Sequence, residues 1–305
     1  VTLTAQASLL TGLPPREHGA VGNGWYVREV GEPLLWRQPN DLIAGEKLYE
    51  AALARDPGFT CAKLFWWFNL GARVRWSLTP RPYYPADGRK IPAVYGWPRE
   101  FPAELEAALG AFPFFDFWGP KAGLASSRWL TDAALWTLEH KRPTLTLVYL
   151  PHLDYDHQRF GPDSPQGRRA LVELDGLVGE LVAAANRAGA ETVLVSEYAL
   201  EAVDRPVHIN RALRQAGLLE VRETPTGEVL DVFGSRAFAV ADHQHAHVYV
   251  HAPADLPAVR SALSPLPGVE ALLDRREQAA LAIDHPRSGD LLAIAAPGAW
   301  FTYYH

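Results

Sequence analysis

The apolar residues of this chain gather into short runs separated by polar turns, and their spacing predicts an alternation of helices and strands. Thr2 and Thr4 are good helix N-cap residues ahead of a helix-compatible run at residues 5–11, which Gly12 closes. Asn40 or Asp41 is placed to cap a helix over residues 42–55, with Leu42, Ile43, Leu48 and Ala52 as its apolar stripe. A buried strand is expected over residues 59–67, helices over 102–109 and 131–140, and a strand covered on both faces over residues 144–150, TLTLVYL. A long amphipathic helix at residues 164–187 and a second buried strand at 191–196 follow. The later pattern predicts a helix at 211–217 and a strand with period-two character at 235–251, on which His243, His245 and His247 share one face. A helix at 257–263 and extended segments at 269–273 and 291–296 complete the chain.

Residues 68–128 break this rhythm. They are rich in Pro, Tyr, Trp and Arg, and read as a cap-like insertion whose aromatic side chains form a local core or stack on a ring. Arg73, Arg75, Arg81 and Arg89 are available there to an anionic group. Residues 235–285 read as a peripheral α+β lobe. The whole, residues 1–305, is expected to form one α/β domain, long enough for a large core. In open parallel sheets ligands gather beyond the carboxyl ends of strands, which places Asp154 and Glu197 where a site is expected.

Composition narrows the function classes. With 29 basic against 35 acidic residues and a net charge of −6, the chain has no basic stripe for a nucleic-acid polymer. The single cysteine, Cys61, excludes an intrachain disulfide framework and suits a reducing, cytoplasmic compartment. No apolar run is long enough to predict a membrane span, and no signal peptide is expected. The sequence starts at Val1 and contains no methionine, so it is expected to be part of a longer chain.

The densest chemistry lies in residues 2–26, TLTAQASLLTGLPPREHGAVGNGWY. A threonine at a helix start either caps backbone N–H groups or acts as a nucleophile, since the positive end of the helix dipole favours an alkoxide and holds phosphate. The run TGLPPREHGAVGN resembles the segment after the nucleophile in the type I phosphodiesterase and nucleotide pyrophosphatase family of the alkaline phosphatase superfamily. That resemblance implies an alkaline-phosphatase-like sandwich, with a mostly parallel central sheet and helices on both faces. It implies Thr2 as the nucleophile and Asn23 as the residue holding a phosphoryl oxygen; a register shift of two would put Thr4 in place of Thr2. His18 is a structural residue of the turn.

The same resemblance implies two divalent metals. One would be held by an Asp-x-x-x-His segment and a distant C-terminal His, the other by an upstream Asp, the nucleophile and an Asp-His pair. The first pattern falls on Asp154, followed by Gly161-Pro162, but Gln158 stands where the family has His and His157 lies one position earlier. The second falls on Ser196-Glu197-Tyr198, with Glu for Asp and Tyr for His. Asp154, His157, Gln158 and Glu197 are therefore the candidate metal ligands, and this oxygen-rich set suits manganese, iron or magnesium better than zinc. The implied function is metal-dependent hydrolysis of small phosphate esters, phosphodiesters, nucleotide pyrophosphates or phosphonates. The alternative is a degenerate member that binds a phosphorylated ligand without turnover.

Overall fold

In the computed structural model, which describes residues 1–305, the chain divides into two units, residues 1–37, 43–45 and 201–305 against residues 38–42 and 46–200. The first unit opens with α1 (Thr2–Thr11), which begins earlier than the 5–11 run predicts. Its N-cap is Val1 and no side chain caps it, so neither Thr2 nor Thr4 plays the expected capping role. The Gly-Leu-Pro-Pro turn leads into the single turn α2 (Pro15–His18), and a tight hairpin follows, β1 (Gly24–Val27) against β2 (Glu32–Leu35). The helix expected at 42–55 is shorter. Gly45 takes φ 86°, and a Cβ there would fall 2.4 Å from Leu13 Cδ1, so the backbone turns at this point and only α3 (Leu48–Arg55) is helical. Its start is closed by Lys47 and Glu50, whose carboxylate accepts the Lys47 N–H at 3.0 Å.

The second unit is built on a four-stranded mixed sheet. β3 (Cys61–Leu64) pairs in parallel with β4 (Trp76–Pro80) and with β6 (Leu145–Val148), while β5 (Val94–Trp97) is antiparallel to β4. The order is therefore β5-β4-β3-β6, with both parallel and antiparallel neighbours. β3 is shorter than the 59–67 run because Phe65 turns to φ 59°. Helices α4 (Phe101–Leu109) and α5 (Leu124–His140) cover a core in which Phe65, Leu78, Phe112, Phe117, Trp129 and Leu130 are buried. Each such side chain contributes about 1.5–3 kcal/mol relative to exposure. The segment after β6 is helical, α6 (His152–Phe160), and α7 (Pro165–Arg187) matches the long predicted helix, its start capped by Ser164, whose Oγ accepts the Gly167 N–H. Arg128 on α5 joins Glu180 on α7 through two hydrogen bonds.

The buried strand predicted at 191–196 is absent. Residues 190–196 pair with no strand, and Val193 and Leu194 are 82% and 68% exposed. Strand propensity records how well a side chain fits a paired and partly covered surface. Here the apolar run has neither a ladder partner nor a cover, so composition alone misassigns it.

The chain then returns to the first unit. β7 (Arg205–Val207) and α8 (Ile209–Gln215) precede the exposed hairpin β8 (Glu220–Thr224) and β9 (Gly227–Asp231). The stretch predicted as one strand at 235–251 is two, β10 (Ala237–Asp242) and β11 (His245–Val250), joined at His243 and Gln244. His243 sits in the turn at φ 60°, so only His245 and His247 share a strand face. α9 (Leu256–Leu263), β12 (Val269–Leu273), α10 (Arg275–Ala280) and β13 (Leu291–Ala295) follow, and β14 (Ala299–Phe301) runs parallel to β7. The antiparallel sheet has the order β10-β11-β13-β12 and packs a core of Ile209, Leu213, Phe238, Tyr249, Val259 and Phe301. Asn210 ties α8 to this sheet by donating to the Ala239 carbonyl and accepting its N–H.

Candidate active site

In the first unit the sequence-predicted residues Thr2 and Asn23 come together. Thr2 is buried in the first turn of α1, and the next residue, Leu3, donates its N–H to Asn23 Oδ1 at 3.0 Å. The turn between them is held by His18, which is wholly buried: its Nδ1 accepts the Ala20 N–H and its Nε2 meets Ser8 Oγ. An imidazole that accepts at Nδ1 carries its proton at Nε2, so His18 is the neutral Nε2–H tautomer. Burial, with His285 and Arg287 nearby, holds it down to about 4. This is the structural role expected of it.

Asp242, at the end of β10, is the residue that sequence reasoning missed. Its Oδ2 accepts the Asn23 backbone N–H at 2.6 Å and its Oδ1 accepts Asn23 Nδ2 at 2.9 Å. Asp242 is 4% exposed, and burial raises its pKa above the ordinary aspartate value, the Asn23 N–H acting in the opposite direction. The available signal was an acidic residue closing the apolar run Ala239-Val240-Ala241, an uncommon place for a carboxylate without a partner. Beside it, His245 Nε2 lies 3.9 Å from Asp242 Oδ2 and is buried without a hydrogen bond. His247 donates from Nε2 to the Val21 carbonyl and accepts the Gly289 N–H at Nδ1, a fully paired structural imidazole. Burial pushes His245 down to about 4 and His247 to about 3.

The remaining candidates lie in the second unit. Asp154 and Gln158 are one helical turn apart on α6, and Gln158 Nε2 donates to Asp154 Oδ2 at 2.5 Å. The His157 ring packs against the start of α7: a Cβ on Gly167 would come within 2.9 Å of His157 Cδ2. Glu197 is half-buried in the irregular segment after α7, where Ser196 Oγ donates to the Tyr198 carbonyl. No group of three or more His, Cys, Asp or Glu side chains is arranged to hold a metal ion. The pair Asp154–Gln158 offers oxygen donors for a hard cation, but an imidazole-rich two-metal centre does not fit the residues as they stand. Of the arginines singled out in the aromatic region, Arg89 pairs with Asp87 at 2.7 Å and Arg75 lies over the Trp76 ring. No helix is long and apolar enough to cross a membrane.

The sequence model of the family described as type I phosphodiesterase / nucleotide pyrophosphatase matches residues 1–305. A curated relative, an uncharacterized pyrophosphatase/phosphodiesterase of Schizosaccharomyces pombe, is 25% identical over 182 residues, 60% of this chain. The chain spans only about a third of that relative's length, 31%. Among solved structures, phosphonoacetate hydrolase from Sinorhizobium meliloti in complex with phosphonoformate superposes with a TM-score of 0.64 at 16% identity, over 99% of this chain and 71% of that one. Murine ectonucleotide pyrophosphatase/phosphodiesterase 5 gives 0.62 at 15% identity, over 99% and 68%, and its inactive threonine-to-alanine form was solved with AMP. These likenesses establish the α/β fold, and the match of the family model over every residue establishes that the chain belongs to the type I phosphodiesterase/nucleotide pyrophosphatase family of hydrolases.

Proposed function

We propose that the chain is a metal-dependent hydrolase of small phosphate esters, phosphodiesters, nucleotide pyrophosphates or phosphonates, acting through Thr2. The observation that carries this reading is the junction of α1 with Asn23: a threonine in the first turn of a helix whose next residue, Leu3, donates its N–H to a clamped amide that retains one N–H. The helix dipole favours an anion at that end, and the amide N–H is a donor for a non-bridging phosphoryl oxygen. Thr2 Oγ1 attacks phosphorus, the departing ester oxygen leaves with the proton that the hydroxyl gives up, and water then cleaves the Thr–O–P bond, releasing the phosphorylated product and restoring the hydroxyl. Asp154 and Glu197 are the carboxylates proposed to carry metal, with His157 and Gln158 as neighbours, and a metal held there would supply charge neutralisation.

The rival reading is a member that binds a phosphorylated ligand without turnover. It is favoured by Gln158 and Tyr198 at positions where imidazole is expected and by the lack of a three-donor group. Elemental analysis of full-length protein purified without chelator, run beside turnover of bis-p-nitrophenyl phosphate and p-nitrophenyl phosphate, separates the two. About two metals per chain with diesterase turnover, the stoichiometry of a two-metal phosphoryl-transfer site, supports the hydrolase. Neither metal nor turnover under zinc or manganese saturation supports the binding protein.

A further inference from the structure

We propose that Asp242 is the positioning residue for Asn23, fixing the direction of the one amide N–H that Asn23 has left for a phosphoryl oxygen. The inference rests on the reading of Asn23 given under Proposed function and adds a residue to it. A primary amide has two N–H donors and one carbonyl oxygen. Leu3 N–H can only donate, so the atom facing it is Asn23 Oδ1; the Asp242 carboxylate accepts, so the atom facing it is Nδ2. These partners consume the carbonyl and one N–H. Because the amide is planar, they also fix where the second N–H points.

Asp242 grips the backbone of the same residue as well, accepting Asn23 N at 2.6 Å, so both carboxylate oxygens are spent on one asparagine that lies 219 residues away in sequence. The charged and titratable groups around it are His245, with Nε2 at 3.9 Å, the Val1 amino group, His243 and Tyr303. Gly22 leaves space for this arrangement. A Cβ there would stand 3.0 Å from Asp242 Oδ2, 3.1 Å from the Gly24 carbonyl oxygen and 3.5 Å from His245 Nε2, so a methyl group would crowd the carboxylate against Asn23 while leaving its charge in place.

A double-mutant cycle tests the proposal on the full chain, with bis-p-nitrophenyl phosphate as substrate. Asn23→Ala is expected to lower kcat/KM by about a hundredfold or more, as loss of an anion-hole donor does. Asp242→Asn, which turns an amide toward an amide, is expected to lower it by about ten- to a hundredfold, the range for a residue that orients another. The double variant should be no worse than Asn23→Ala, since the two losses are one loss. Multiplying losses, or an Asp242→Asn enzyme with undiminished kcat/KM, would overturn the proposal. Should Asp242→Asn fail to fold, Gly22→Ala takes its place: several-fold loss in the wild-type background, as expected of a sub-ångström displacement, and none in Asn23→Ala. Wild-type protein that binds inorganic phosphate without turnover is examined by the same cycle, read on the phosphate Kd. Wild-type protein that neither turns over nor binds phosphate sinks the reading of the Asn23 site itself, a failure seen before any variant is made.

Discussion

Ser8 Oγ lies 2.9 Å from His18 Nε2 across the turn that separates α1 from α2, and this contact ties the helix that carries the proposed nucleophile Thr2 to the Pro-rich turn behind it. Because Nδ1 accepts from Ala20, the Nε2 proton has only Ser8 to receive it. Ser8→Ala would strand that buried N–H, at a cost of about 1–3 kcal/mol. Urea unfolding of the variant should show a loss in that range with an unchanged m-value, and a loss below about 0.5 kcal/mol would mean that water replaces the hydroxyl.

Three buried imidazoles weaken the first unit as pH falls. His18 and His245 are held down to about 4 and His247 to about 3, in each case chiefly by burial. The unfolded chain binds these protons near the ordinary histidine value of about 6.5. Between that value and the folded ones the unfolded state carries more protons, so stability falls as pH is lowered. The contribution is fully present above about pH 6.5 and declines toward pH 4, before most carboxylates titrate. Urea midpoints measured at pH 7.5, 6 and 5 should fall in that order; equal midpoints would show that the imidazoles are hydrated in solution.

Much of this was legible in local sequence. Gly12 and the Pro-rich turn end α1, Ser164 and Pro165 announce α7, and the LTLV of TLTLVYL forms β6, because each signal acts within a few residues. The failures are cases where the deciding partner is remote. Residues 191–195 read as a strand, yet a strand exists only with a neighbour to complete its ladder. Asp242 is matched to Asn23 by two hydrogen bonds that no spacing rule encodes. The histidine alternation at 243–247 reads as one strand face, but the turn at His243 divides it, and the later two imidazoles are buried.

Lys63 on β3 is wholly buried, donates to the Phe68 carbonyl at 2.7 Å and sits 5.3 Å from the Tyr49 ring. Burial lowers its pKa from the ordinary lysine value to about 7. A folded value below the unfolded one means that the neutral amine is favoured on folding, so this group adds stability as pH rises from about 7 toward 10.5, and the addition is lost on the way back down. Between pH 7 and 8, below the midpoint of ordinary thiols at about 8.5 and of tyrosines, the wild-type protein should therefore gain stability. Lys63→Met removes the titrating group and should flatten that rise. A variant that retains the full slope would place its origin elsewhere.

The choice between Thr2 and Thr4 is open to a direct test, because the two hydroxyls differ in their surroundings. Neither caps α1, so both can be changed without loss of a helix cap, and alanine is a good helix former at the first position. Thr4 Oγ1 is buried without a hydrogen-bond partner, so Thr4→Val exchanges an unsatisfied hydroxyl for a methyl of the same shape. That variant should be neutral to stabilising in urea unfolding and should keep turnover. Thr2→Ala should keep the unfolding midpoint within about 1 kcal/mol, the typical effect of a point change, while kcat falls by at least about a thousandfold. Loss of turnover in Thr4→Val with retention in Thr2→Ala would reassign the nucleophile. Full turnover in both would remove this helix from the chemistry and leave it only a structural and anion-binding role.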